Sequence, residues 1–197
     1  MICLFGMAGS GKSTQGRNLA EKFGWKWLSV GQILRDTGRV DAEMKQGLIV
    51  DVEETIRLVN AAIEKAEAEG FYIIFDQYPR SERQIKWMTE ELADKIEGIM
   101  ILNVPREELL KRLAERERAD DLDMEAIERR FGVFEEFVGK ALPIFESKGV
   151  PIVEVDGTGT IEEVGERLSA ELKVLVPEAM EQINDVNGGE IEHSYGE

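Results

Sequence analysis

Short apolar runs alternate with longer amphipathic stretches along this chain, and the two periods divide it into strands and helices. Ile2–Phe5, Phe71–Phe75, Gly98–Leu102 and Val150–Val155 are near-continuous apolar runs, each bounded by a Gly or Pro signal, and each predicts a buried strand. A shorter run, Trp27–Ser29, predicts a fifth. Helical spacing covers Lys12 to about Phe23, Asp51–Glu69, Ser81–Asp94, Arg106–Glu115, Asp123–Lys148 and Ile161–Val174. Ser81 and Thr160 suit helix N-caps, each with an acid in the turn that follows.

Strand–helix alternation of this kind implies an α/β fold: a parallel sheet, mostly five-stranded, covered by helices on both faces in three αβα layers. Right-handed crossovers then put the loops after the strands along one sheet edge, where ligands bind. The chain reads as a single domain over residues 1–175. Residues 176–197 read as a loosely attached acidic tail, with no Lys or Arg from Pro177 onward. No internal repeat or low-complexity linker interrupts it.

Composition narrows the function classes. With 197 residues, 43% hydrophobic and 32% charged, the chain can bury a real core. No apolar run approaches the roughly 20 residues needed to span a membrane, and Met1 leads directly into a short strand, so neither a membrane partner nor a signal peptide is expected. One cysteine, Cys3, excludes an internal disulfide and fits a cytoplasmic protein; it reads as a buried small hydrophobe. One Cys with one His, His193, cannot fill a structural zinc site. The net charge of −16 argues against nucleic acid as a partner. A small phosphate compound remains open, because six arginines crowd the stretch from Pro105 to Arg130: Arg106, Arg112, Arg116, Arg118, Arg129 and Arg130.

Gly6-Met7-Ala8-Gly9-Ser10-Gly11-Lys12-Ser13 fits GxxxxGK[ST], directly after a strand and before a helix. Glycines let successive N–H groups converge on a phosphate, and the helix N-terminus adds partial positive charge. Lys12 would bridge the β and γ phosphates of a nucleoside triphosphate, with the Ser13 hydroxyl on Mg²⁺.

Further segments carry a resemblance. Gly6–Gln15 looks like the opening of adenylate kinases, GxPGxGKGTQ; Leu28–Arg35 is similar to that family's monophosphate motif, and Gly47–Val50 to its G-x-[IL]-V segment. Phe75–Arg80 with Gln84 resembles LDGFPRxxxQ, and Arg118-Ala119-Asp120-Asp121 with Arg129 resembles RxDD…R. The match runs in order over about residues 1–175. It implies a P-loop kinase fold with a monophosphate-binding insertion at about 29–60 and a minimal lid at about 115–122. It also implies phosphoryl transfer from MgATP to a nucleoside monophosphate; a monomer is expected.

By this resemblance Gly9, Ser10, Gly11, Lys12, Ser13, Thr14 and Arg112 bind ATP, with Arg112 against the adenine. Ser29, Val30, Arg35, Val50, Arg80 and Gln84 bind the monophosphate. Lys12, Arg80, Arg116, Arg118 and Arg129 surround the transferring group. Asp76 acts on Mg²⁺ through water, or caps the following loop. Asp120 and Asp121 orient lid arginines or cap the next helix. Arg106 and Arg130 read as surface ion pairs, and Trp25, Trp27 and Trp87 as packing. Forked, permanently charged arginines suit a reaction that must bring two polyanions together.

Gln84 favours AMP, whereas Val30 and Gly47–Thr55 leave UMP or CMP open. The chain departs from the family pattern at Ala8, Ser13, Gln32 and Gln77-Tyr78. Only Glu117 separates Arg116 from Arg118, a very short lid. A small-metabolite kinase and a low-turnover ATP-binding assembly or regulatory protein are the competing readings.

Overall fold

The computed structural model describes residues 1–36, 51–76, 79, 81–115 and 123–181. β1 (Ile2–Gly6) leads through a glycine loop into α1 (Lys12–Phe23), and β2 (Lys26–Ser29) runs straight into α2 (Val30–Asp36). α3 (Val52–Ala68) returns to β3 (Ile73–Asp76). α4 (Glu82–Lys86) continues through a π-helical turn (Trp87–Leu92) and a 3-10 turn (Ala93–Lys95) to β4 (Gly98–Asn103). α5 (Arg106–Glu115), α6 (Met124–Ser147), β5 (Ile152–Asp156) and α7 (Ile161–Leu175) complete the order.

The strands form one parallel sheet in the order β2-β3-β1-β4-β5. Side chains alternate across it, as a strand's period of two demands. On one face Cys3, Phe5, Phe75, Ile99 and Ile101 meet Val59 and Ile63 of α3, Ile85 of α4, and Phe137 and Phe145 of α6. On the other, Ile2, Leu4, Ile74, Met100 and Leu102 meet Leu19 of α1 and Val164, Leu168 and Leu172 of α7. Burial on both sides explains why the central strands read as unbroken apolar runs. Each such side chain contributes about 1.5–3 kcal/mol. Burial also pushes the Cys3 thiol up to about 12. The tryptophans pack: Trp87 is in the first core, Trp25 in the second beside Phe23 and Tyr72, and Trp27 lies against it.

Four details differ from the sequence reading. α2 was not expected. The helix expected over Ser81–Asp94 is α4 followed by the π turn; there Thr89 Oγ1 donates to the carbonyls of Ile85 and Lys86, and Trp87, Met88 and Leu92 all turn inward. β3 begins at Ile73 rather than Phe71, and β5 at Ile152, after Pro151. Finally, Val176 and Ala179 are buried against α7's core, so the chain stays packed past residue 175 and the start of the expected tail is not loose. Residues 182–197, with His193, lie outside the described residues.

Candidate active site

β1 is the central strand, and its neighbours β3 and β4 are reached in opposite directions along the sheet. The loop at its carboxyl end therefore sits at the switch point, where open α/β sheets hold ligands. Gly9 and Gly11 have φ of 86° and 88°, the left-handed region that glycine tolerates best. At Gly9 a Cβ would also come within 2.9 Å of the Leu109 carbonyl oxygen, and at Gly6 within 2.6 Å of Ser10 Oγ. Ser10 N–H closes the loop onto the Met7 carbonyl at 3.1 Å, and Lys12 Nζ reaches the same oxygen at 3.5 Å. Ala8 packs with Leu109, Leu113, Ile127 and Phe131, which ties the loop to α5 and α6.

The start of α1 has no side-chain cap and no acid in its first turn. By contrast, α3, α4, α6 and α7 are closed by Asp51, Ser81, Asp123 and Thr160, each with an acidic first turn. Positive charge at the N-terminus of α1 is thus left for an anion. On the adjacent strand β3, Asp76 pairs in register with Leu4 of β1 and Ser29 of β2. It is only 4% exposed, and its Oδ2 is buried with no hydrogen-bond partner among the described residues; Ser10 Oγ is orphaned in the same way. A buried carboxylate in this condition is costly unless something comes to meet it.

At the β2 end, Ser29 and Val30 are buried where strand becomes helix. Arg35 is exposed one turn later, its Nη2 donating to Gln32 Oε1 at 3.0 Å, while Gln32 Nε2 donates to Asp36. Gln84 is 4% exposed on α4, whose first turn Ser81 caps. On the far side, Arg112 donates from Nη1 to the Gly157 carbonyl at 3.1 Å and from Nε to Glu108 at 2.9 Å. This β5–α7 loop is itself well braced. Asp156 Oδ1 accepts from the N–H and hydroxyl of Thr158, which holds its carboxyl below the usual range, and Arg167 donates to the carbonyls of Asp156 and Thr158. Beside it opens a cavity of about 760 Å³ lined by residues that include Met7, Asn103, Phe134, Asp156 and Thr158. The loop was missed in the sequence, although Gly157-Thr158-Gly159-Thr160 directly after a strand was the available signal.

The two adjacent arginines on α6 differ in exposure, and the burial of Arg130 corrects its reading as a surface residue. Arg130, read as a surface residue, is 8% exposed on the stripe of Ile127, Phe131 and Phe134. Arg129, read as part of the site, is 46% exposed and faces Asp123 and Glu125. Arg106 pairs with Glu128 at the surface, as expected. Val50, Gln77-Tyr78, Arg80, Arg116, Arg118, Asp120 and Asp121 lie outside the described residues.

An uncapped phosphate loop, a buried carboxylate on the next strand whose Oδ2 has no partner among the described residues, and arginines around one sheet edge suit phosphoryl transfer. The family model for adenylate kinase matches residues 4–150. The chain belongs to the adenylate kinase family. An adenylate kinase of Thermus thermophilus is 33% identical, the match covering 88% of this chain and 97% of the relative. Adenylate kinases of Micrococcus luteus (34%, covering 85% and 87%) and Maricaulis maris (33%, covering 87% and 98%) are similarly related. As a member of the adenylate kinase family the chain is a phosphotransferase of the nucleoside-monophosphate kinase class, and its five-stranded parallel sheet is the P-loop kinase fold. Among the described residues, no helix is long and apolar enough to cross a membrane.

Proposed function

We propose that the chain transfers the terminal phosphoryl group of MgATP to AMP, reversibly, giving two ADP. One observation carries this reading: the uncapped start of α1 lies at the end of β1, and Asp76, whose buried Oδ2 has no hydrogen-bond partner among the described residues, ends the neighbouring strand. Together they suit a polyanion accompanied by a cation.

The bond that forms joins an oxygen of the acceptor's phosphate to the terminal phosphorus of ATP. The bond that breaks joins that phosphorus to the β–γ bridging oxygen, and the electron pair leaves with ADP. No general base is needed, because a phosphate monoester with a second pKa of about 6 is already mostly ionised at neutral pH. Alignment and charge neutralisation do the rest.

The backbone from Gly9 to Thr14 cradles the donor phosphates, and Lys12 bridges the β and γ groups. The donor's base lies toward Arg112 and the cavity beside Thr158. Ser13 and Asp76 fit Mg²⁺, a hard cation that takes oxygen ligands and keeps several waters. When bound, the ion neutralises charge on the phosphates. Arg35 and Arg80 hold the acceptor's phosphate, while Ser29, Val30, Val50 and Gln84 surround its base in the segment 29–60 and on α4. Arg116 and Arg118 close from the segment 115–122, joined from α6 by Arg130, the more buried neighbour of Arg129.

The test is an acceptor panel of AMP, CMP, UMP and their deoxy forms, followed by ADP formation from ATP. AMP is expected to give the highest kcat/KM, and Lys12→Ala to abolish the AMP-dependent signal. Higher kcat/KM with UMP or CMP would assign the pyrimidine branch instead. ATP binding without acceptor-dependent ADP formation would assign a non-catalytic role.

A further inference from the structure

The two residues preceding Gln84 are charged, and each reaches to a different neighbouring helix. Arg83 donates from Nε to Glu53 Oε1 at 2.8 Å and from Nη2 to Glu53 Oε2 at 3.3 Å, the bidentate fork that guanidinium and carboxylate form best. Its remaining nitrogen, Nη1, donates to Glu91 Oε1 at 3.0 Å in the π turn. Glu82 accepts from Lys140 Nζ of α6 at 2.8 Å, and the same ammonium binds Glu136 at 2.7 Å. Thus α3 holds one side of α4 and α6 the other.

The element so held is very short. α4 has five residues. It runs on into the π turn, where Trp87, Met88 and Leu92 are buried, and a helical stretch this short takes its position from contacts with its neighbours. Ile85 supplies one buried anchor. The polar anchors are Arg83 and Glu82. Glu53, in turn, lies in the first turn of α3, two residues past the cap Asp51 and three past Val50. The fork therefore links the helix bearing Gln84 to the first turn of α3.

We propose that Arg83, through Glu53, is a positioning residue that sets where Gln84 stands relative to α3, with Glu82 and Lys140 bracing α4 from the opposite side. The inference rests on the reading of Gln84 as acceptor-binding. Arg83 does not touch the nucleotide. It fixes where the glutamine beside it stands relative to α3.

The experiment measures KM for the monophosphate and KM for ATP separately in the full chain. Arg83→Met is expected to raise KM for the monophosphate about three- to fivefold, the scale of a well-formed exposed pair. KM for ATP and kcat should stay within about twofold of wild type, as expected when the loss is confined to one substrate's binding. Glu53→Gln should give the same split, and the double variant should be no worse than either single, because the two side chains act as one unit. Arg83→Lys, which keeps the charge but not the fork, should recover only part of the loss. A general structural role would instead move both KM values and the melting temperature together, and that result overturns the proposal. So does an unchanged KM for the monophosphate, or additive effects in the double variant. A wild-type chain that phosphorylates no monophosphate overturns the functional reading itself, an outcome distinct from any seen in the variants alone.

Discussion

Asp76 is a carboxyl group kept where water barely reaches, at 4% exposure, and its Oδ2 has no hydrogen-bond partner among the described residues. Replacing it by Asn removes that burden, so Asp76→Asn is expected to stabilise the ligand-free chain by about 1–3 kcal/mol. The unfolding midpoint should rise by roughly 2–4 °C per kcal/mol for a chain of this size, while the extra stabilisation on adding Mg²⁺ with ATP should shrink. A lower midpoint in the thermal melt would mean that the carboxylate is paired in the free protein. Its unusual position was legible beforehand, since an acid ending an apolar strand needs a partner. For the arginines of α6 two signals in the sequence point to different residues. Counting eleven residues on from Arg118 selects Arg129. The helix face selects Arg130, because Ile127, Phe131 and Phe134 form the inward stripe and only Arg130 falls on it, three past Ile127 and four before Phe134. Arg130→Met is therefore expected to lower kcat by about 10²–10³, as removal of one transition-state donor does. Arg129→Met, at a solvated ion pair, should change it by less than about threefold. Steady-state rates with the order reversed would restore the spacing argument over the facial one.

The strands were plain to read because burial on both faces leaves a run of apolar residues that no amphipathic helix imitates. The elements that escaped lacked punctuation or had the wrong kind. α2 follows β2 with no turn residue between Ser29 and Val30, and Gly31 looks like a breaker; only Val30 and Leu34, four apart and both buried, marked it as a helix. The π turn came from a competition that periodicity does not encode, in which the Thr89 hydroxyl takes backbone acceptors one turn back. α7, by contrast, announces itself with Thr160 and Glu163. Glu163 N–H donates to Thr160 Oγ1 at 3.2 Å, and Thr160 N–H donates to Glu163 Oε2 at 2.8 Å, a full capping box. Thr160→Ala should cost about 1 kcal/mol, a fall of roughly 2–4 °C in the melting midpoint. Because the box also ends the loop that holds Arg112 through Gly157, KM for ATP should rise in parallel. An unchanged midpoint would show that α7's packing, not its cap, determines where the helix begins.

At the scale of the whole molecule, the parallel sheet gathers the described site elements along one edge, and catalysis then depends on what can cover that edge. Water is the competing acceptor for the terminal phosphoryl group, and kinases limit hydrolysis by closing over it. Between the end of α5 at Glu115 and the cap of α6 at Asp123, this chain has only the seven residues 116–122. Fully extended, seven residues span about 25 Å, and a loop that must go out and return reaches about half of that. On the proposed reading, in which Arg116 and Arg118 serve the phosphates, a segment of that length is too short for a broad cover, and water exclusion is expected to fall mainly on the bound acceptor. The expected consequence is more ATP hydrolysis in the absence of a monophosphate than a long-lid relative shows, suppressed as AMP is added. A variant with a longer insertion between Arg116 and Arg118 should hydrolyse less ATP in the absence of acceptor. Phosphate release would be measured with and without AMP, beside a relative that carries a long lid. If this chain leaks no more than that relative at comparable kcat, the short connection is no handicap and the core itself keeps water out.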